Sequence, residues 1–302
     1  MSDIAAELGL EPVSTDQIGR LTVASSVELT PRRITAFAAG VGDFNPVYFD
    51  DTRPGGLIAH PGLIFSIQWS SRHMPDQRVS LANARRGVHA WVDARFERPL
   101  REGDVITSRG ETISVRQVRS GVLSTQRFTM RDSLGRIVVE FDSGGVVRGA
   151  VTSGPDREQT GPPPLPEPGD PQEKPVWSSD VPIEPGAPHV YTECADIWNP
   201  IHTERKVALA AGLPDIILHG TATLTLALRE LINHSLASDP TRLIRIAGQF
   251  RAMVIPGHLI TVRCLEDRAG PDATRELFFD VLNHEGDTAI ARGVCIARES
   301  SA

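Results

Sequence analysis

Apolar and polar positions along the chain fall into two similar series. In the first, runs with β character around 88–96, 105–115, 122–131 and 137–147 are separated by Arg101-Glu102-Gly103-Asp104 and Asp132-Ser133-Leu134-Gly135, which predicts four strands joined by tight turns. Ahead of them, Thr30-Pro31 reads as an N-cap followed by proline in the first helical position, predicting a helix over 32–39. A second helix is expected near 63–71, after His60-Pro61-Gly62. In the second series, residues 220–235 carry Leu224, Leu226, Ala227, Leu228, Leu231 and Ile232 on nearly every side, as a helix enclosed by protein does. Strands follow near 243–250, 259–266, 276–283 and 288–297. A buried helix followed by a four-strand antiparallel meander curled around it is an α+β layout.

The two series keep one register. Asn45 and Asn199, Phe96 and Phe250, and Gly103 and Gly257 are each 154 residues apart. Between them, 152–171 is so rich in proline and glycine that it cannot form a helix or a central strand, and it reads as a linker of polyproline character. The expected organisation is an N-terminal copy over 1–150, a linker over 151–175 and a C-terminal copy over 176–302.

Composition narrows the function classes. A chain of 302 residues can bury two cores without staples. Its formal charge of −7, with only short basic pairs such as Arg32-Arg33 and Arg85-Arg86, argues against nucleic acid as a partner. Cys194, Cys264 and Cys295 cannot all pair and show no metal-type spacing, so they are expected to be reduced, structural thiols. The first residues have no basic start and no apolar core, and no apolar run approaches membrane-spanning length, so no membrane partner and a cytoplasmic location are expected.

The chemistry concentrates in Asp196-Ile197-Trp198-Asn199-Pro200-Ile201-His202 and Ile216-Ile217-Leu218-His219-Gly220. Together they set an acid, an imidazole and a glycine-opened helix close to one another, which are parts able to move water across a double bond. An altered copy stands earlier, Gly42-Asp43-Phe44-Asn45-Pro46-Val47-Tyr48, with a tyrosine in the place of the histidine. A plainer reading attends each residue: His202 as a turn-capping loop histidine, Asn199 bonding its own turn, His60 and His219 as packed or capping histidines, and Asp43 as a turn residue.

These motifs resemble the MaoC-like hydratases and dehydratases, in the double-hotdog form where two copies are fused. Asn199-Pro200-Ile201-His202, Ala211-Gly212, Ile217-Leu218-His219-Gly220, Phe250 and Pro256-Gly257 carry the match in the second copy, and residues 42–50 carry it in the first. The resemblance implies a tandem hotdog, each half an antiparallel sheet wrapped around a helix. It implies reversible addition of water to a trans-2-enoyl thioester of CoA or acyl-carrier protein, giving a 3-hydroxyacyl thioester, with no metal and no redox cofactor. Asp196 and His202 would be the catalytic pair, Asn199 and Gly220 substrate-binding residues, and the Gly220 N–H the donor to the thioester oxygen.

The pattern departs from the family at one point, because the family's aspartate position, two residues before the asparagine, is Ile197 here. A local bulge could bring Asp196 to His202, or Glu193 or Asp215 could supply the carboxylate, or His202 could stand alone. The first copy shows the complementary loss, keeping Asp43 but placing Tyr48 at the histidine position, and the pseudo-twofold relation of hotdog halves sets Asp43 and His202 in separate pockets. A long-chain, steroid-derived or branched acyl group is conceivable. A thioesterase, and a catalytically decayed thioester-binding protein or subunit of a hetero-oligomeric hydratase, are the alternatives. A monomer is physically possible, as is a homodimer of the fused chain.

Overall fold

The computed structural model describes residues 2–75, 79–170 and 172–299. Met1, Pro171 of the expected linker and the last three residues of the expected second copy lie outside the described residues. In the first half the strands are β1 (Ser25–Glu28), β2 (Gly87–Phe96), β3 (Val105–Val118), β4 (Gly121–Arg131) and β5 (Ile137–Arg148). After the two-residue β6 (Arg157–Glu158) come β7 (Trp177–Pro182), β8 (Leu243–Phe250), β9 (Leu259–Ala269), β10 (Thr274–Leu282) and β11 (Thr288–Arg298).

All ten long strands form one antiparallel sheet in the order β1-β3-β4-β5-β2-β8-β11-β10-β9-β7, with β6 paired to β3. The order is a palindrome: each half contributes the same succession of strands, and β2 meets β8 at the centre. Their register places Trp91 opposite Gln249, Asp93 opposite Ala247 and Arg95 opposite Arg245. With the 154-residue offset, residues 91, 93 and 95 correspond to 245, 247 and 249, so a pseudo-twofold axis passes between Asp93 and Ala247.

Along β2 the apolar Val92, Ala94 and Phe96 enter the core while Asp93 and Arg95 alternate to the opposite face, as strand geometry requires. There the two halves are bolted together. Arg245 donates to both Asp93 carboxylate oxygens (2.8 and 2.5 Å) and to the carbonyls of Pro163 and Pro164, while Arg95 and Arg127 converge on the buried Asp142. The proline-rich segment therefore runs across this face. Further along, it is held where Gly169 N–H donates to Glu266 and Arg268 donates to the Glu167 carbonyl.

The helices cover the other face: α1 (Ser2–Glu7), α2 (Pro31–Gly40), α3 (Ile64–Ser70), α4 (Leu81–Arg86), α5 (Ala187–Ala195), α6 (Arg205–Ala210) and α7 (Gly220–Ser235). The expected N-cap of α2 is present, Thr30 accepting from Arg33 N–H with Pro31 in the first turn. Helix α7 keeps the expected bounds and buries Leu224, Leu228, Leu231 and Ile232 in a core that is continuous through both halves. Its first-half counterpart α3 has seven residues against sixteen. Helices α2 and α5 lie together, with Phe37 edge-on to Tyr191 (6.1 Å) and the Gly40 backbone pressed against Cys194. That contact puts the two Asn-Pro turns, which follow α2 and α5, at corresponding places on the pseudo-twofold.

Candidate active site

Helix α5 ends at Ala195, and Asp196 turns the chain in a left-handed conformation (φ 55°, ψ 40°). Its counterpart after α2 is Gly42, also left-handed (φ 63°). One residue later, Ile197 N–H donates to the Thr192 carbonyl and Asp43 N–H donates to the Ala38 carbonyl, both at 3.0 Å. The two turns therefore match residue for residue, Asp196 taking the place of a glycine and Ile197 the place of Asp43. No bulge carries Asp196 inward. It is exposed, Ile197 is buried, and no hydrogen bond or ion pair joins Asp196 to His202 among the described residues. Glu193 is exposed, and Asp215 accepts from the Arg205 guanidinium at 3.2 Å, so neither reaches His202 by a hydrogen bond.

His202 closes the short turn Pro200–His202, which Asn199 caps through its side-chain oxygen and Ile201 N–H. The His202 Nδ1 lies 2.8 Å from the Ile217 carbonyl. A carbonyl only accepts, so the ring proton sits on Nδ1 and Nε2 presents a lone pair. Among the described residues no protein group bonds Nε2. The ring stacks on His219 (centroids 3.7 Å apart, planes at 26°), whose Nε2 lies 3.3 Å from the Thr192 hydroxyl. Burial pushes His202 down to about 4, partly opposed by its bond to Ile217. Burial also pushes His219 down to about 3, assisted by the neighbouring His202. Both imidazoles are neutral at neutral pH.

His219 is the residue before α7, yet its side chain does not cap the helix. Among the described residues, the first N–H groups of α7, beginning at Gly220, thus have no side-chain acceptor at the positive end of a sixteen-residue helix. Gly220 is required there, since a Cβ would stand 2.9 Å from the Phe250 ring. A lone pair on a neutral imidazole beside an uncapped helix terminus can take a proton from water and stabilise an anionic carbonyl oxygen. The structure thus sets His202, His219 and the start of α7 together and leaves Asp196 outside. Of the two plain readings of His219, packed or capping, the structure shows the packed one, the ring forming the face against which His202 stacks.

Residues 168–274 match the model of the MaoC-like domain, and residues 16–141 match the FAS1-like dehydratase domain region. The peroxisomal enoyl-CoA hydratase 2 of Arabidopsis thaliana is 36% identical over 97 residues, 32% of this chain and 31% of that one. A UPF0336 protein of Streptomyces avermitilis is 30% identical over 129 residues, covering 41% of this chain and 86% of that protein. The crystal structure of a MaoC-like dehydratase from Phytophthora capsici aligns over 96% of this chain and 100% of its own, with a TM-score of 0.81 and 20% identity. The chain belongs to the MaoC-like dehydratase family. Its fold is the double hotdog, an α+β tandem in which the two halves share one sheet. The alignment with the plant hydratase spans about a third of that enzyme's length. Among the described residues, no helix is long and apolar enough to cross a membrane, and no group of three or more His, Cys, Asp or Glu side chains could hold a metal ion.

Proposed function

We propose that this MaoC-like chain is a hydro-lyase that adds water to a trans-2-enoyl thioester of CoA or acyl-carrier protein, or removes it from the 3-hydroxyacyl product. The observation that carries the reading is the free Nε2 lone pair of His202 next to the uncapped start of α7. In hydration, Nε2 takes a proton from water as the water oxygen bonds to C3. The electron pair of the double bond moves toward the thioester oxygen, held by the N–H groups at Gly220 and the helix dipole. The imidazolium then returns the proton to C2. Its low pKa makes it a strong acid in that second step. We infer that Asp196 stays out of this chemistry, being exposed at the position of a glycine. The three cysteines, unpaired and two of them buried, fit a reducing compartment such as the cytoplasm.

The test is the absorbance of the conjugated thioester when purified protein meets crotonyl-CoA and a longer trans-2-enoyl-CoA. Wild type should deplete it. His202→Asn, which retains a donor for the Ile217 carbonyl, should lower turnover at least tenfold, general-base removal being worth roughly 10²–10⁴. Asp196→Asn should stay within twofold. Release of free thiol from a saturated acyl-CoA would establish a thioesterase instead, and saturable acyl-CoA binding with no turnover of any enoyl chain would establish a binding protein.

A further inference from the structure

Each half of the chain presents the start of its central strand to the pocket of the other half. In β2 that residue is His89, whose ring centroid lies 4.7 Å from that of Phe250, and Phe250 in turn packs on Gly220 at the start of α7. In β8 it is Leu243, 154 residues later, which lines a cleft with Phe96, the counterpart of Phe250. The ladders support the equivalence. Both strands break register at the same step, between His89 and Trp91 against β5 and between Leu243 and Arg245 against β11. The same ladders place Ser143 opposite Val92 and Cys295 opposite Ile246, so Ser143 and Cys295 also correspond.

The two walls differ in kind. Leu243 and Cys295 are 3% and 0% exposed, and the cleft that Leu243 lines with Phe96, Leu100 and Pro240 has about 10 Å³ of room, too little for a ligand. On the other side His89 is exposed and Ser143 half-buried, with His89 Nε2 2.9 Å from the Ser143 hydroxyl. The protein around the His89 ring nonetheless pushes it down to about 4, so the ring is neutral at neutral pH. A side chain that solvent reaches while protein desolvates it lines a cleft rather than a convex surface. Leu243 and Cys295 show that packing at these positions asks for nothing polar, so the His89–Ser143 pair serves what enters the cleft. If Nε2–H donates to Ser143 Oγ, Nδ1 is left as an acceptor and the Ser143 O–H as a donor. If Ser143 donates to Nε2, Nδ1–H is left as a donor and Ser143 Oγ as an acceptor. In either tautomer the pair holds one donor and one acceptor for a ligand and no charge, and nothing else bonds Nδ1 among the described residues. That suits the N–H or C=O of an amide, not a phosphate, which calls for cations.

We infer that His89 and Ser143, supplied by the first half, bind the amide of the pantetheine arm of a thioester whose acyl group lies at His202. The inference rests on the hydro-lyase reading for the thioester and adds which residues hold its arm. With the thioester oxygen at the Gly220 N–H and C3 at His202, the sulfur is the substituent left to pass Phe250, which lies where a Cβ of Gly220 would point. The first amide of the arm follows a two-carbon spacer beyond that sulfur, and His89 is one ring beyond Phe250. Each half thus has a distinct part in one site: the second supplies His202 and the helix terminus, and the first supplies the polar wall. The mirror-related wall, with Leu243 and Cys295, is closed and apolar.

The experiment compares three crotonyl thioesters on full-length wild type, His89→Leu and Ser143→Ala: that of CoA, that of N-acetylcysteamine, which keeps the amide, and that of ethanethiol, which lacks it. Leucine is the residue at the equivalent position 243, so packing is retained. In His89→Leu, kcat/KM should fall about fivefold more for the CoA and N-acetylcysteamine thioesters than for the ethyl thioester, chiefly through KM, as loss of one neutral hydrogen bond implies. In Ser143→Ala the same difference should be about threefold. A difference below twofold in His89→Leu overturns the inference and leaves the hydro-lyase reading intact. So does a loss that depends on acyl length, crotonyl against trans-2-decenoyl, and not on the amide. If wild type turns over no enoyl thioester, the hydro-lyase reading fails and equilibrium dialysis with butyryl-CoA decides. Binding weakened about fivefold by His89→Leu sustains the site. Binding unchanged by His89→Leu, or absent in wild type, overturns it.

Discussion

The stacked pair His202 and His219 makes the fold sensitive to acid in a calculable way. Both rings are buried, and burial lowers His202 from 6.5 to about 4 and His219 to about 3. A histidine with a lowered folded-state pKa opposes unfolding fully above its unfolded value, and loses that contribution as pH falls from 6.5 toward the folded value. For His202 the shift is worth about 3 kcal/mol, most of which disappears between pH 7 and pH 4.5. His219 loses a similar amount. The rings share one desolvated stack, so together they account for about 3–5 kcal/mol, a large part of the 5–15 kcal/mol that stabilises an ordinary domain. The assay is urea unfolding of wild type and His202→Asn at pH 7, 5.5 and 4.5. Groups other than His219, whose pKa His202 helps to lower, titrate alike in both proteins, so the difference between the two curves reports the His202 ring together with its effect on His219. His202→Asn should lose about 2–3 kcal/mol less than wild type across that interval. Parallel losses, within about 0.5 kcal/mol, would refute the claim that His202 is held neutral by burial. The same neutrality keeps the proposed base in its working form from pH 6 to 8, so turnover should be flat there and fall only as pH approaches 4.

Two further outcomes test how the halves are joined. A Cβ on Gly40 would stand 2.5 Å from Cys194 Cβ, so Gly40→Ala should destabilise by about 1–3 kcal/mol despite alanine's better helix propensity. The loss should persist with Cys194→Ala, which keeps the Cβ, and shrink with Cys194→Gly, as read from melting temperatures. Asp93→Ala should cost about 3–5 kcal/mol in urea unfolding, because it leaves the buried Arg245 guanidinium short of its carboxylate, whereas replacing both residues by leucine should cost far less. A mild Asp93→Ala would show that the Pro163 and Pro164 carbonyls alone satisfy Arg245.

Most of the sheet was legible because its inner strands alternate cleanly between the core and the other face, as Val92, Ala94 and Phe96 do against Asp93 and Arg95. The edge strands were not. β1 and β7 have four and six residues, are exposed on alternate positions, and pair on one side only, so neither composition nor period sets them apart from loop. Helix α5 was hidden for a related reason, opening on Pro185-Gly186-Ala187-Pro188 with no side-chain cap. At the site, sequence left open whether Asp196 could slip one residue toward His202, since the energy of such a slip depends on backbone conformation. The deciding fact is that Gly42 and Asp196 occupy the same left-handed position, after which Ile197 and Asp43 must both turn inward. The same equivalence changes what the two altered copies mean. In the second half an inward carboxylate is gone, His202 is neutral and its helix terminus is uncapped. In the first half the inward carboxylate remains, and His60 caps the short turn Pro61–Leu63 ahead of α3 while turning its other nitrogen to Asp43. The two turns thus differ in opposite ways, the first keeping the inward carboxylate with Tyr48 at the histidine position and the second keeping His202 with Ile197 at the carboxylate position.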